Sequence, residues 1–194
     1  MYSLLNNLRN SLKPYLQTIG KIFASTGISP NVWTAVGLIF AFISSLVYGI
    51  SLEFSLILGG ILLLISGFFD IVDGQVARYT NKISKSGGFL DSIFDKIAEV
   101  AIFFGILLGG YTEPYLVILA ISLSLLVSYT RAKADTLGIK LQGIGIGERA
   151  ERLLVIAIVG MLGFMEAAVI IVIIIAAITL VQRIVVLAKN ANNS

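Results

Sequence analysis

The sequence contains no cysteine and no histidine among its 194 residues, and only 13% of them are charged. These absences exclude disulfides, Cys/His zinc sites, thiol nucleophiles and histidine acid–base chemistry. Soluble domains carry roughly 25% charged residues, whereas this chain is 57% hydrophobic with a mean hydropathy of +0.97. The composition therefore predicts an all-α, polytopic membrane protein. Any metal would be held by oxygen ligands, which favours a hard ion such as Mg²⁺ or Mn²⁺.

The first 29 residues also lack the apolar core and cleavage site of a signal peptide, so we expect none. Apolar side chains instead recur at helical spacing over residues 1–25, at Leu4, Leu5, Leu8, Leu12, Leu16, Ile19 and Phe23. This stripe predicts an amphipathic helix in the membrane interface. The alternative is a helix that packs on polar parts of the same protein. Pro30 suits the first turn of the helix that follows.

Six apolar segments follow, each close to the ~20 residues that cross a bilayer. They span about 31–52, 54–77, 88–110, 114–134, 150–165 and 167–188, and the fifth is the shortest. The chain has no long internal repeat, no low-complexity tract and no linker that would separate domains. We therefore expect one membrane domain over residues 1–194, with a six-helix bundle at 31–188 behind the interfacial helix.

Three short connections contain Glu53, Glu113 and Glu166 and have no lysine or arginine. All fourteen basic residues fall in the other connections or beside them, on one side of the predicted bundle. The positive-inside rule places that side, with both termini, in the cytoplasm of a multi-pass cell-membrane protein. The net charge of +3 therefore reflects topology and does not indicate a nucleic-acid partner.

Four of the five aspartates lie within 26 residues of one another, in an apolar part of the sequence. Asp70 and Asp73 are three apart, and Asp91 and Asp95 are four apart, so each pair shares a helical face. Their helices are joined by a short connection and should be antiparallel neighbours. Carboxylates in a bilayer need compensation, and four that meet suit one or two Mg²⁺-like ions. Two such ions about 3.5–4 Å apart can clamp a phosphoryl group.

Small and polar residues accompany these aspartates. Gly74 lets a ligand phosphate approach the backbone, and Arg78 offers a planar donor fork suited to phosphate oxygens. Three alternatives stay open: ion pairs of the aspartates with nearby basic residues, helix packing as the only role of the small residues, and a cation-coupled transporter. The basic residues in question are Arg78, Lys82, Lys85 and Lys96.

The spacing Asp-x2-Asp-Gly-x2-Ala-Arg-x8-Gly-x3-Asp-x3-Asp resembles the signature of the CDP-alcohol phosphotransferases. The chain matches it at every position, namely Asp70, Asp73, Gly74, Ala77, Arg78, Gly87, Asp91 and Asp95. The resemblance covers the whole chain and implies transfer of a lipid phosphate from a CDP-linked lipid to an alcohol, with release of CMP. It also implies a homodimer. The lipid could be CDP-archaeol or CDP-diacylglycerol.

The resemblance also assigns roles to residues. It implies that Asp70, Asp73 and Asp91 bind Mg²⁺ or Mn²⁺, as two ions, and that Asp95 lies at the same ions and is the general base. Its CDP-lipid site falls on Asn31, Thr34, Asp73, Gly74, Ala77, Arg78, Ser84 and Gly87.

Residues 128–134 and 147–152 are similar to the branch of this family that makes phosphoinositol lipids. The implied acceptor, inositol 1-phosphate, is a dianion that needs a basic pocket. We expect Arg131, Arg152 and Arg183 to bind it, with Arg149 and Lys133 behind them, and Glu148 and Glu151 to orient the arginines. Alternatively, these cations set the topology or contact anionic lipids. Glycerol 3-phosphate and serine remain alternative acceptors.

Overall fold

The computed structural model describes residues 4–139, 141 and 144–191, and the side chains of 14–139, 141 and 144–190. Within these residues every regular secondary-structure element is a helix, as the composition predicted. The helices are α1 (Leu4–Ala24), α2 (Pro30–Ile50), α3 (Ser55–Tyr79), α4 (Lys85–Leu108), α5 (Pro114–Thr136), α6 (Arg149–Met161) and α7 (Met165–Ala191).

The ends of these helices follow local sequence chemistry. Pro30 occupies the first turn of α2, as predicted, because its missing N–H would be unpaired there in any case. Ser84 caps α4, since its Oγ accepts a hydrogen bond from the Gly87 N–H at 3.0 Å. A helix also forms in the N-terminal segment. The side chains of its predicted stripe from Leu4 to Leu12 lie outside the described ones, so the amphipathic character of α1 stays a prediction.

Four helices, α2, α3, α5 and α7, are long and apolar enough to cross a membrane. The segments corresponding to the third and fifth predicted spans differ from them. α4 is 24 residues long but contains Lys85, Asp91, Asp95, Lys96 and Glu99. α6 has 13 residues, about 20 Å at the helical rise, which is shorter than a hydrocarbon core of roughly 30 Å. The structure thus supports a membrane protein, and the six-span topology remains a prediction.

The helices pack around a shared core in which α2 contacts α3 and α4, α5 contacts α7, and α6 contacts α3 and α7. At the α2–α4 contact the two backbones lie close together. A Cβ atom on Gly105 would lie 2.7 Å from the Cα of Ser45, and the Ser45 Oγ donates to the Ala101 carbonyl at 2.5 Å. Small residues and serine hydroxyls are typical of such contacts between membrane helices.

An aromatic cluster attaches the end of α1 to the bundle. The ring of Phe23 lies edge-on to Trp33 with 5.0 Å between centroids, and Trp33 stacks on Phe69 at 5.7 Å. Edge-to-face and stacked pairs add to the stability given by burial alone. Phe69 directly precedes Asp70, so this cluster lies beside the aspartate pair of α3.

The close approach at Gly105 generates a stability prediction. We expect Gly105→Ala to destabilise the protein by ~1–3 kcal/mol, because its added methyl group overlaps the Ser45 backbone. The measurement is the midpoint of thermal unfolding in detergent. Gly67→Ala is the matched control, since a Cβ atom at Gly67 in α3 would meet no other atom within 4 Å. Equal midpoints for the two variants would contradict the close packing.

Candidate active site

The last turns of α3 and the first turns of α4 bring the predicted aspartates together. Asp70, Asp91 and Asp95 each offer a carboxylate oxygen, and these atoms lie within 4.8 Å of one another. The connection between the two helices is only residues 80–84, so they run antiparallel and their acidic faces meet at one level. This is the arrangement that the spacing of the aspartates predicted.

Asp73 lies against the same group, and its side chain is 6% exposed. It lines a small void together with Asp70, Asp95 and Thr34. Its Oδ2 atom is buried, and no described residue gives it a hydrogen bond. A buried carboxylate oxygen without a partner is costly, and a cation would relieve that cost. Together with the three clustered oxygens, this donor set fits a hard divalent ion.

The cation that contacts these aspartates is Arg149, at the first position of α6. Its Nη1 atom lies 3.1 Å from the Asp70 Oδ1 and 2.5 Å from the Asp95 Oδ1. Among the described residues, none of the four basic residues considered as partners forms such a pair. Sequence reasoning placed Arg149 among the acceptor ligands but did not predict its contact with the carboxylates, because α6 follows them by more than fifty residues.

One cavity of about 200 Å³ adjoins the aspartates at the start of α2 and the α3–α4 connection. All eight residues predicted for the CDP-lipid line it. They are Asn31, Thr34, Asp73, Gly74, Ala77, Arg78, Ser84 and Gly87. Residues far apart in the sequence are thus gathered at one surface next to the acidic cluster.

Two glycines of this cavity show what their lack of a side chain provides. A Cβ atom on Gly74 would meet no other atom within 4 Å, so packing between helices does not require glycine there. A Cβ atom on Gly87 would lie 3.0 Å from the Ser84 Oγ and 3.4 Å from the Asn31 Oδ1. Gly74 therefore leaves space open in the cavity, which favours access for a ligand over helix packing as its role, whereas Gly87 allows a close approach of the polar side chains of Ser84 and Asn31.

A second cavity, of about 550 Å³, lies on the other side of Asp91 and Asp95 and is lined by basic residues of α4, α5, α6 and α7. It contains four of the five residues predicted to bind the acceptor, together with Lys96. These four are Arg131, Arg149, Arg152 and Arg183. Lys133 is exposed and is not among the residues that line the cavity.

The basic residues of this second cavity differ in their exposure and in how many of their donor groups are already hydrogen-bonded to the protein. Arg131 is exposed, and it makes no ion pair with a described residue. The Arg183 side chain is 2% exposed and donates from Nε to the Ile144 carbonyl at 3.0 Å and from Nη1 to the Val127 carbonyl at 2.7 Å. The geometry therefore favours Arg131 over Arg183 as a direct ligand contact.

Arg152 is even more fully engaged, and sequence reasoning missed its partner. Its Nε and Nη2 atoms donate to the two oxygens of Glu99 at 2.9 and 3.0 Å, and its Nη1 donates to the Gly147 carbonyl at 2.9 Å. Glu99 lies four residues after Asp95. An acidic residue at that spacing in an apolar helix was the sequence feature that could have indicated a need for a basic partner. The structure does not favour Arg152 as an acceptor contact, although we expected it among the leading ones.

Glu148 and Glu151, which we expected to orient the arginines, form a capping box at the start of α6. The Glu151 carboxylate accepts a hydrogen bond from the Glu148 N–H at 2.7 Å. This reciprocal cap satisfies amide groups that the first helical turn leaves unpaired. It fixes where α6 begins, and hence the position of Arg149, while Glu99 is the residue that orients Arg152.

Comparison with known proteins agrees with the motif. Residues 28–189 match the CDP-alcohol phosphatidyltransferase family. The archaetidylinositol phosphate synthase of Pyrococcus horikoshii is 38% identical over 181 residues, which cover 93% of this chain and 95% of that protein. The enzyme of the same name from Methanothermobacter thermautotrophicus is 36% identical over 189 residues, covering 94% and 93%.

Solved structures of phosphatidylinositol phosphate synthase from Mycobacterium tuberculosis share the fold. One holds CDP-DAG and another manganese and citrate; both are 23% identical with a TM-score of 0.75 and cover 87% of this chain. The alignment covers 91% of the first of those chains and 87% of the second. The family resemblance drawn from the aspartate motif is confirmed. This chain belongs to the CDP-alcohol phosphatidyltransferase family.

Proposed function

We propose that the protein transfers the lipid phosphate of a CDP-linked lipid, CDP-archaeol or CDP-diacylglycerol, to inositol 1-phosphate and releases CMP. One observation carries this proposal: the two cavities meet at the aspartates, with Gly88 and Asp91 lining both. The smaller cavity has every residue expected at the CDP group, and the larger one has the cations that a phosphorylated alcohol needs. Relatives that are archaetidylinositol phosphate synthases support the same acceptor.

Asp70, Asp73, Asp91 and Asp95 would hold Mg²⁺ or Mn²⁺, and we propose two ions. When bound, the metal neutralises the diphosphate and stabilises the negative charge that develops on the departing CMP. The buried, unpartnered oxygen of Asp73 and the oxygens clustered within 4.8 Å support this assignment. A carboxylate set without histidine or cysteine favours hard ions.

Asp95 is our candidate for the general base. It lines the basic cavity, where it would accept the proton of an inositol hydroxyl while that oxygen attacks the lipid-side phosphorus. The bond between this phosphorus and the CMP oxygen breaks as the new bond forms. Arg149 contacts Asp95 and would hold its carboxylate in place. Asn31 and Arg78, in the other cavity, would keep the CDP group on the opposite side of the aspartates.

Arg131 and Arg149 are our leading contacts for the acceptor phosphate, whereas Arg152 and Arg183 line the same cavity with donors already bonded to the protein. Arg131 has no ion pair to break among the described residues, and a guanidinium binds a phosphate dianion through two parallel hydrogen bonds. Glycerol 3-phosphate carries the same group and is the nearest rival acceptor. Serine would not require these cations. A cation-coupled transporter would move ions and release no CMP.

The placement of this chemistry follows from the charge pattern. We propose six membrane spans, with α4 and α6 completing the four apolar helices, and α1 in the interface. The active site and both termini would face the cytoplasm, because the basic connections lie at the same end as the aspartates. A homodimer, surrounded by membrane lipid, is the assembly that the family resemblance implies.

Replacing the proposed base gives the first test of the mechanism. We expect Asp95→Asn to reduce CMP release by about 10²–10⁴-fold, because an amide cannot accept the hydroxyl proton. Binding of CDP-lipid should largely persist, as measured by equilibrium titration. Glu113→Gln, in the connection at the opposite end of the bundle, is the control and should keep normal turnover. Undiminished turnover of Asp95→Asn would remove the base from the mechanism.

The identity of the acceptor can be read from CMP release. Purified protein with CDP-lipid and Mg²⁺ should release CMP with inositol 1-phosphate and not with free inositol, serine or glycerol 3-phosphate. Release with only one of the other alcohols would name a different acceptor. Release with none of them, accompanied by ion flux in vesicles, would support the transporter.

The role of Arg131 can be separated from that of net charge. We expect Arg131→Gln to raise the KM for inositol phosphate roughly tenfold or more, as for a lost charge-assisted hydrogen bond of about 1.5–3 kcal/mol. The KM for CDP-lipid should change little. Lys133→Gln is a matched control, since it removes the same charge two residues away but outside the cavity. Equal effects of the two variants would indicate a general electrostatic role.

Metal dependence provides a further test. We expect chelation with EDTA to abolish CMP release and Mg²⁺ or Mn²⁺ to restore it, while Mn²⁺ titration followed by electron paramagnetic resonance should count two ions per chain. Asp73→Asn should weaken Mn²⁺ binding, because the amide replaces a carboxylate oxygen that has no hydrogen-bond partner among the described residues. Full activity in EDTA would contradict the proposed metal site.

A further inference from the structure

Glu99 and Arg152 form an ion pair that is shut off from solvent. Each residue is 1% exposed, and their two parallel hydrogen bonds measure 2.9 and 3.0 Å. The third donor of Arg152 goes to the Gly147 carbonyl at 2.9 Å. A buried ion pair of this kind contributes little net stability. It favours one relative geometry of the two side chains, because each buried charge is compensated only in that geometry.

The Gly147 carbonyl belongs to a segment that is held on several sides. The Gly147 N–H donates to the Thr179 Oγ1 at 2.9 Å, and Arg183 holds the Ile144 carbonyl. A Cβ atom on Gly147 would lie 3.1 Å from the Ile175 carbonyl oxygen, so the segment lies directly on α7. Arg152 therefore connects the backbone before α6 to the acid on α4.

The pair also lies one helical turn from the aspartate site. Asp95 and Glu99 are four residues apart on α4, and Arg149 and Arg152 are three apart on α6, so each pair projects from one face of its helix. Arg149 meets Asp95 while Arg152 meets Glu99. The two contacts form parallel links between the helices. The buried Glu99–Arg152 pair can set the axial position and the rotation of α6, and both determine whether Arg149 reaches the carboxylates.

We propose that Glu99 is a positioning residue of the active site: by fixing Arg152, and through it Gly147, it holds Arg149 against Asp70 and Asp95. Glu99 contacts neither substrate nor metal in this role. The consequences for the acceptor and for Mn²⁺ binding rest on the proposed function, whereas the contact of Arg149 with Asp70 and Asp95 does not. Stability alone does not account for the pair, since apolar residues of similar volume often replace a buried ion pair without loss of stability.

The test uses the double variant Glu99→Leu/Arg152→Leu, which removes the pair without leaving one charge buried alone. Its first readout is the dissociation constant for Mn²⁺, measured by electron paramagnetic resonance in wild type, in the double variant, in Arg149→Gln, and in the three changes combined. Freed from its position, Arg149 competes less for the carboxylates, so Mn²⁺ should bind several-fold more tightly in the double variant because a nearby positive charge is removed. If Glu99 acts through Arg149, the double change should have no further effect in the Arg149→Gln background.

The second readout is kinetic. The double variant should raise the KM for inositol phosphate roughly 10- to 100-fold, as for loss of a residue that orients a binding group. At saturating metal the KM for CDP-lipid should stay within about twofold, because that cavity contains neither residue. Glu99→Asp, which keeps the charge on a shorter side chain, should be intermediate. Ile102→Ala, a buried control one turn along α4, should lower the unfolding temperature and leave both KM values unchanged.

Three results separate the possible failures. Wild-type Mn²⁺ affinity in the folded double variant, or fully additive effects with Arg149→Gln, would overturn the positioning role. A rise in both KM values together would also overturn it and indicate a structural role. If wild type releases no CMP with inositol phosphate, the proposed acceptor is wrong. The Mn²⁺ dissociation constants of the four proteins then still test the role of Glu99.

Discussion

The structure depends on balancing carboxylates inside an apolar bundle. Asp70, Asp73, Asp91 and Asp95 lie where a charge without a partner is expensive. Arg149 compensates two of them from α6, and the donor set of the others suits a metal ion. α6 is the shortest helix among the described residues, and it contacts α3 and α7. Its placement brings the cation of Arg149 to these acids.

The same acids divide the site into two compartments of different chemistry. One compartment is lined largely by glycine, alanine and short polar side chains, with Arg78 and Lys82 beside them, and this lining leaves room for a nucleotide and its phosphates. The other is lined by guanidinium groups, which suit a second anion. Two negatively charged substrates would repel each other in one open cavity. In the proposed mechanism, metal held by the aspartates between two separate cavities would screen these charges while the acceptor reaches the phosphorus atom of the CDP-lipid.

The parts of the fold that follow local rules could be predicted from the sequence. The start of α2 at Pro30 depends on local sequence. The approach of the α3 pair, Asp70 and Asp73, to the α4 pair, Asp91 and Asp95, depends on spacing within one helical hairpin. Such spacing is visible in the sequence. Which cation meets which acid depends on how distant helices are stacked. Glu99 and Arg152 are 53 residues apart, so sequence reasoning took Arg152 as a ligand contact, whereas the packing makes it a partner of Glu99.

The aromatic cluster at the end of α1 has an optical consequence. Trp33 is the only tryptophan of the chain, and it lies between Phe23 of α1 and Phe69, the residue next to Asp70. Its intrinsic fluorescence therefore comes from one known place, at the junction of three helices beside the cavity proposed for the CDP-lipid. Nothing needs to be attached to the protein to observe that junction, and a movement of α1 relative to α3 would change the emission directly.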